Sequence, residues 1–292
     1  MNEHEFLLQD RIAKIKSINE RFDLEHNAYL SFSGGKDSTV LHYLLDEALP
    51  DNRIPRVFIN TGIEYKLITQ FVKSLAEKDD RIVIWNVGKN ISDTLKEVGY
   101  PFKSKEHSQK LYEYKKGYRS KSHLCYFREL PDGFAPCPKK LMYQKEPEFT
   151  LNISHKCCLE FKKNPAKEYA KQSKRSITIT GMIKAERGQR THINCAFIKN
   201  DKLQKFHPLA VVTKEFEDWY IESRKIRLCD LYYPPYNFTR TGCKGCPYSY
   251  NLREQLETLE KVLPEEKKQC ELIWKPVYDE YRRIGYRLKG VK

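Results

Sequence analysis

The chain is 292 residues long, 40% hydrophobic and 32% charged, with a formal net charge of +14. This is a soluble globular composition, enough for one large domain or two small ones with a sizeable core. No apolar run is long enough to cross a bilayer. The start, MNEHEFLLQDRIAKIK, lacks the basic head and apolar stretch of a secretory signal, so the expected location is cytoplasmic, with no membrane partner. Nine cysteines, an odd number, argue against a disulfide framework and for reduced thiols, metal ligands or catalytic thiols. The basic balance admits a polyanionic partner such as nucleic acid, or a site for small anionic substrates.

Residues 5–26 predict an opening amphipathic helix. AYLSFS (28–33) predicts a buried strand, and SGGKDS then leads into a helix with Val40, Leu41, Leu44 and Leu45 on one face. RVFINTG (56–62), RIVIWNV (81–87) and SITITG (176–181) predict further strands, and helical patterns such as YKLITQFVKSLAEK separate most of them. Strands alternating with helices predict an α/β fold with a doubly wound, mostly parallel sheet. Ligands of such sheets bind at the carboxyl ends of strands, where SGGKDS, NTG and GMIKAERGQR all fall. Residues 100–150 break the rhythm. They are basic and tyrosine-rich, then loop-like, and predict an insertion or lid. From about residue 215 the pattern turns helical around a loop carrying TGCKGCP. The expected division is therefore 1–215 for the α/β domain and 216–292 for a C-terminal helical segment.

A strand, a glycine turn and a helix N-terminus make a phosphate cradle. The glycines let backbone N–H groups approach an anion, Lys36 adds a point charge, and the Ser33 and Ser38 hydroxyls add donors. Asp37 would cap the helix or help to hold magnesium. The loop is not a Walker motif, because Asp37 follows Lys36 and Leu30 stands in place of the first glycine. Among the cysteines, Cys157–Cys158 and Cys243-x-x-Cys246 stand out. A Cys-x-x-Cys pair in a loop is a half-site for zinc or an iron–sulfur cluster. The remaining five, Cys125, Cys137, Cys195, Cys229 and Cys270, are expected as small buried hydrophobes. A second metal site at His123, Cys125 and Cys137 is the alternative for two of them.

Ser33, Gly34, Gly35, Lys36, Asp37 and Ser38 match the Ser-Gly-Gly-x-Asp-Ser signature, so the loop resembles the PP-loop of N-type ATP pyrophosphatases. Adjacent cysteines followed by a distant Cys-x-x-Cys resemble the 4Fe-4S motif of assimilatory adenylyl-sulfate reductases. Lys162, Pro165 and the segment HPLAVVTKEFEDWYI extend that likeness. GMIKAERGQR resembles the family's substrate-binding stretch through Gly181, Glu186 and Arg190, with Lys184 and Arg187 as further basic candidates. Ile183 stands where an arginine is common, and Arg187 where a serine is. NTGIEY keeps Thr61, Gly62 and Glu64 of an Asp-Thr-Gly-x-Glu pattern, with Asn60 replacing the aspartate. The chain is identified over about residues 28–260 as a member of the phosphoadenosine-phosphosulfate (PAPS) reductase-like family within the adenine nucleotide α-hydrolase fold. The resemblance implies ATP, adenylyl-sulfate or PAPS with Mg2+ on residues 33–38, Thr61, Gly62, Glu64, Gly181, Lys184, Arg187 and Arg190. It makes Lys36, Asp37 and Arg190 the catalytic candidates. It implies a 4Fe-4S cluster on Cys157, Cys158, Cys243 and Cys246, with Zn2+ as the other candidate.

Reductases of this family attack with a cysteine near the C-terminus and commonly carry a degraded PP-loop. Here no cysteine follows Cys270, which reads as mid-helix, and the loop is intact. The chain therefore resembles the PP-loop enzymes of DNA phosphorothioation and the tRNA thiolases. These activate a target with ATP, release pyrophosphate and then deliver sulfur. That implies DNA or tRNA, and a sulfur-donor protein, as partners. The alternatives are adenylyl-sulfate or PAPS reduction, and a non-enzymatic nucleotide and redox sensor.

Overall fold

The computed structural model describes residues 2–131, 135–184 and 193–288. In chain order the first half holds α1 (Glu3–Phe22), α2 (Leu24–Asn27), β1 (Ala28–Ser31), α3 (Lys36–Ala48), β2 (Arg56–Asn60), α4 (Lys66–Ala76), β3 (Ile82–Asn86), α5 (Ile91–Val98), α6 (Lys105–Lys115) and α7 (Lys121–Tyr126). The second half holds α8 (Asn164–Gln172), β4 (Ile177–Ile179), β5 (Ala196–Lys199), β6 (Lys202–Phe206), α9 (Lys214–Ser223), α10 (Leu252–Val262), α11 (Pro264–Ile273) and α12 (Lys275–Arg283). Among the described residues no helix is long and apolar enough to cross a membrane.

The opening helix comes in two pieces. Asn2 and Glu5 close a capping box at its start. Asp23 then takes the left-handed conformation, φ 47°, ends α1 and caps α2 with its carboxylate.

The chain forms two compact units. The first comprises Met1–Val87 and Asn164–Gly242 and contains the sheet, whose strand order is β3-β2-β1-β4-β6-β5. All neighbours pair in parallel except β5, which runs antiparallel to β6. Leu30 of the central strand faces Arg56 on one side and Ile179 on the other. Ala28, Tyr29 and Leu30 are all buried, as expected for a strand covered on both faces. Val40, Leu41, Leu44 and Leu45 are fully buried, so α3 packs with the face its spacing predicts. The β5–β6 hairpin is not among the strands predicted from sequence. Its turn residues, Asn200 and Asp201, both have positive φ, and β5 is mostly exposed, so neither strand carries the apolar run that marks the others.

The second unit comprises Gly88–Lys163 and Cys243–Lys292. It unites the expected insertion with the Cys-x-x-Cys segment. Phe102 packs edge-on against Tyr281 at 4.5 Å between ring centroids, and the Lys103 N–H donates to the Tyr281 hydroxyl (2.8 Å). This partition differs from a boundary at 215 in a specific way. Helix α9 lies beyond that point yet packs on α3, where Tyr220 and Arg224 both bond Glu47 (2.9 and 2.7 Å). Residues 88–163 do not belong to the sheet unit at all. Composition does not reveal either fact, because α9 and the helices after it share one amphipathic pattern.

Candidate active site

The strand order reverses direction at β1, with β2 and β3 on one side and β4 on the other. Such a switch point opens a crevice at the carboxyl ends of the two strands flanking it. Residues 33–38 follow β1 into this position, and Gly181 follows β4. The two meet: a Cβ on Gly181 would lie 2.8 Å from the Asp37 carbonyl oxygen and 3.2 Å from the Ser38 nitrogen.

The loop is held in shape by its own serines. The Ser33 N–H donates to Ser38 Oγ (3.2 Å), the two hydroxyls are 3.0 Å apart, and Ser38 Oγ donates to the Gly35 carbonyl (2.9 Å). Gly34 has φ +67° and sits where a Cβ would lie 2.9 Å from Val72 Cγ2. Gly35 caps α3 without a side chain, so no side-chain oxygen of the cap covers the helix start. The Lys36 N–H donates to the Tyr232 hydroxyl (2.9 Å), which is 3.0 Å from Thr241 Oγ1. Lys36 Nζ is paired with Asp218 of α9.

The neighbouring residue Glu217 is 2% exposed. Burial first, then the charge of Asp37, pushes its carboxyl up to about 8. The sequence singles out none of Tyr232, Thr241, Glu217 or Asp218. One signal for Glu217 was present, since an acid stands on the apolar stripe that Phe216 and Tyr220 define.

At the end of β2, Gly62 has φ +80°, and the Thr61 N–H and hydroxyl both donate to the Glu64 carboxylate (3.0 and 2.8 Å). Thr61 and Glu64 thus brace each other. The Asn60 amide donates to Asn86 (2.7 Å). Beyond Gly181, the Lys184 N–H donates to the Ala210 carbonyl (3.1 Å). Glu186, Arg187 and Arg190 lie outside the described residues.

Cys157, Cys158, Cys243 and Cys246 all fall in the second unit. They are close enough to act on one another electrostatically. Burial, followed by the neighbouring thiols, pushes Cys246 up to about 12 and Cys157 up as well. The Cys-x-x-Cys turn is pinned by the helices after it. The Trp274 indole donates to the Lys244 carbonyl (2.9 Å), Tyr281 donates to Pro247 (2.9 Å), and Lys244 pairs with buried Glu266 (2.8 Å). Gly245 has φ +59°, and a Cβ there would lie 2.8 Å from Cys270. Among the described residues, no three or more His, Cys, Asp and Glu side chains are arranged to hold a metal ion. Four thiols and no other donor type nevertheless make a set suited to iron–sulfur ligation.

Cys125, Cys137, Cys229 and Cys270 are buried, and Cys195 is half-buried. Among the described residues no second metal site forms around His123, which bonds Ser120 (2.6 Å) and Glu113 (2.8 Å), while Cys125 donates to the Pro131 carbonyl (3.4 Å).

In the basic stretch, two tyrosines serve the unit itself. Tyr114 lies 3.5 Å beneath the Arg119 guanidinium and packs against Phe127, and Tyr112 accepts from Lys156 (2.7 Å). Lys115, Lys116, Tyr118, Arg119 and Lys121 remain exposed, with Tyr118 63% accessible.

Residues 27–130 match the family model of the phosphoadenosine phosphosulfate reductase domain. An uncharacterized protein of Methanocaldococcus jannaschii is 26% identical over 263 residues, which is 88% of this chain. The chain spans about half, 48%, of the length of that relative. Among solved structures, the phosphate complex of PAPS reductase from Candida auris is 13% identical, with a TM-score of 0.39 over 70% of this chain and 76% of that one. The U34-tRNA thiolase NcsA from Methanococcus maripaludis, with its 4Fe-4S cluster, is 14% identical, with a TM-score of 0.40 over 99% of this chain and 82% of that one. Over residues 27–130, which include the loop 33–38 at the switch point of the mostly parallel sheet, the chain is thus similar to the phosphoadenosine phosphosulfate reductase domain.

Proposed function

We propose that the chain is a PP-loop enzyme that binds ATP and activates a target for sulfur transfer, releasing pyrophosphate. The observation that carries the reading is the intact loop 33–38, folded between β1 and α3 with Gly181 packed against it. Backbone N–H groups of the loop, both serine hydroxyls and Lys36 would hold the β- and γ-phosphates. The target's nucleophilic atom attacks the α-phosphorus, the bond to the β-phosphate oxygen breaks, and pyrophosphate leaves. A sulfur nucleophile then displaces AMP from the activated atom. Magnesium, when bound, supplies charge neutralisation for the departing pyrophosphate. Lys36 must exchange Asp218 for phosphate, a swap between two charge-assisted partners. Cys157, Cys158, Cys243 and Cys246 would hold a 4Fe-4S cluster.

Reduction of adenylyl-sulfate or PAPS would need an attacking thiol. Cys270 is fully buried beneath Gly245, and burial pushes it up to about 12, the opposite of what a nucleophilic cysteine requires.

Lys36→Ala is expected to weaken ATP binding by about 1.5–3 kcal/mol, roughly ten- to a hundredfold, and to stop pyrophosphate release. Calorimetry and a pyrophosphate assay check this. Wild-type affinity and turnover in the variant would remove Lys36 from the site. A wild-type protein that binds ATP but releases no pyrophosphate with any candidate target would favour a sensor.

The acceptor we infer is a nucleic acid, on the strength of the exposed cations at 115, 116, 119 and 121 around the accessible ring of Tyr118. Affinity for a short oligonucleotide or for tRNA should fall steeply between low and physiological salt. Replacing Lys115, Lys116 and Arg119 with glutamate should abolish it and leave ATP binding intact. If DNA and tRNA both fail to bind at low salt, the acceptor is a small molecule.

A further inference from the structure

Glu217 Oε1 is the one carboxylate oxygen among the described residues that is both buried and without a hydrogen-bond partner. A buried polar atom left in that state is costly, and folds retain one chiefly where something outside the chain completes it. Glu217 lies on α9, and the pair between Lys36 and Asp218 holds that helix against the first turn of α3. The charged groups that bear on it are Asp37, Lys36, Asp218 and Lys214. Lys36, the loop's own cation, is engaged by Asp218. A cation from outside the chain would complete Glu217 and offset the charges of Asp37 and Asp218 that act on it. Carboxylate oxygens are hard donors, and Mg2+ is usually held by one or two of them together with substrate phosphates.

We propose that Glu217, together with Asp37, ligates a divalent cation, Mg2+ or Mn2+, that rests against the phosphates of the nucleotide on the loop. The proposal rests on the nucleotide reading of residues 33–38. It adds a ligand from α9, a helix far along the chain that already packs on α3. Glu217 must then be ionised, which the cation's charge favours.

The test uses the full chain, α,β-methylene-ATP and Mn2+, read by electron paramagnetic resonance. Wild-type protein carrying the analogue should take up one tightly held Mn2+. Glu217→Gln should weaken Mn2+ at least about tenfold. Its affinity for the analogue in EDTA should stay within about twofold of wild type, since the loop makes those contacts. Glu217→Asp keeps the charge and shortens the reach. It should weaken Mn2+ several-fold, and it serves as the test if the glutamine variant does not fold. Wild-type Mn2+ affinity in a folded Glu217 variant would overturn the assignment, as would analogue-loaded wild-type protein that takes up no Mn2+. If wild-type protein binds no analogue even in EDTA, the nucleotide reading itself fails.

Discussion

Gly181→Ala should cost the protein nucleotide affinity on the same scale as the loss of the Lys36 side chain. The added methyl would lie 2.8 Å from the Asp37 carbonyl oxygen and 2.9 Å from the carbonyl carbon. Both are backbone atoms in the first turn of α3, so no rotamer change relieves the clash. Either the end of β4 or the loop must move. Overpacking of this kind costs about 1–3 kcal/mol in stability. Here the displacement falls on the N–H groups proposed to hold phosphate, where small misplacements are amplified. ATP affinity should drop at least about tenfold, with a lowered melting temperature. Gly242→Ala is the control, because nothing lies within 4 Å of its Cβ position. Equal ATP affinity in the two variants would mean that the meeting of β4 with the loop does not build the site.

Cys243→Ser is expected to remove colour and stability together. Protein prepared without oxygen should be brown and carry roughly four irons per chain. A cluster on these four thiols would join residues 157 and 158 to residues 243 and 246 across a long stretch of chain, and so would close a large loop between two parts of the second unit. Chelation of the iron should lower the melting temperature by a similar amount. Serine at 243 should reproduce that loss, whereas Cys229→Ala should keep the colour. One zinc per chain and no visible absorption would replace the cluster by a structural zinc site.

The parts of this site that are local in sequence were legible there. Residues 33–38 announce themselves because strand, glycine turn and helix start are contiguous. Strands β1 to β4 do so because each is an apolar run, most fully in β1, which is covered on both faces. Type and spacing group the four cysteines, and the fold puts all of them in the second unit. What stayed hidden is what only the tertiary fold brings together. Tyr232 and Thr241 reach the loop from nearly two hundred residues away, through a hydroxyl contact that no spacing encodes. The burial of Glu217 depends on α9 packing on α3. The β5–β6 hairpin shows no apolar pattern because its outer strand is an exposed edge. Arg187 and Arg190, read from the substrate-binding stretch, fall outside the described residues.

The interleaving of the two units has a consequence for synthesis on the ribosome. The first unit cannot finish its sheet when β3 emerges, because β4 and β6 are encoded after the whole of 88–163. That segment in turn waits for 243–288 to complete its own core. Neither unit can fold to completion before the next stretch of chain appears, and the crevice beside residues 33–38 cannot form until β4 pairs with β1. Non-local pairing of this kind is slow and leaves apolar strand surface exposed meanwhile. The nascent chain should therefore be a client for holding chaperones through most of its synthesis, and release from them should coincide with the first ability to bind ATP.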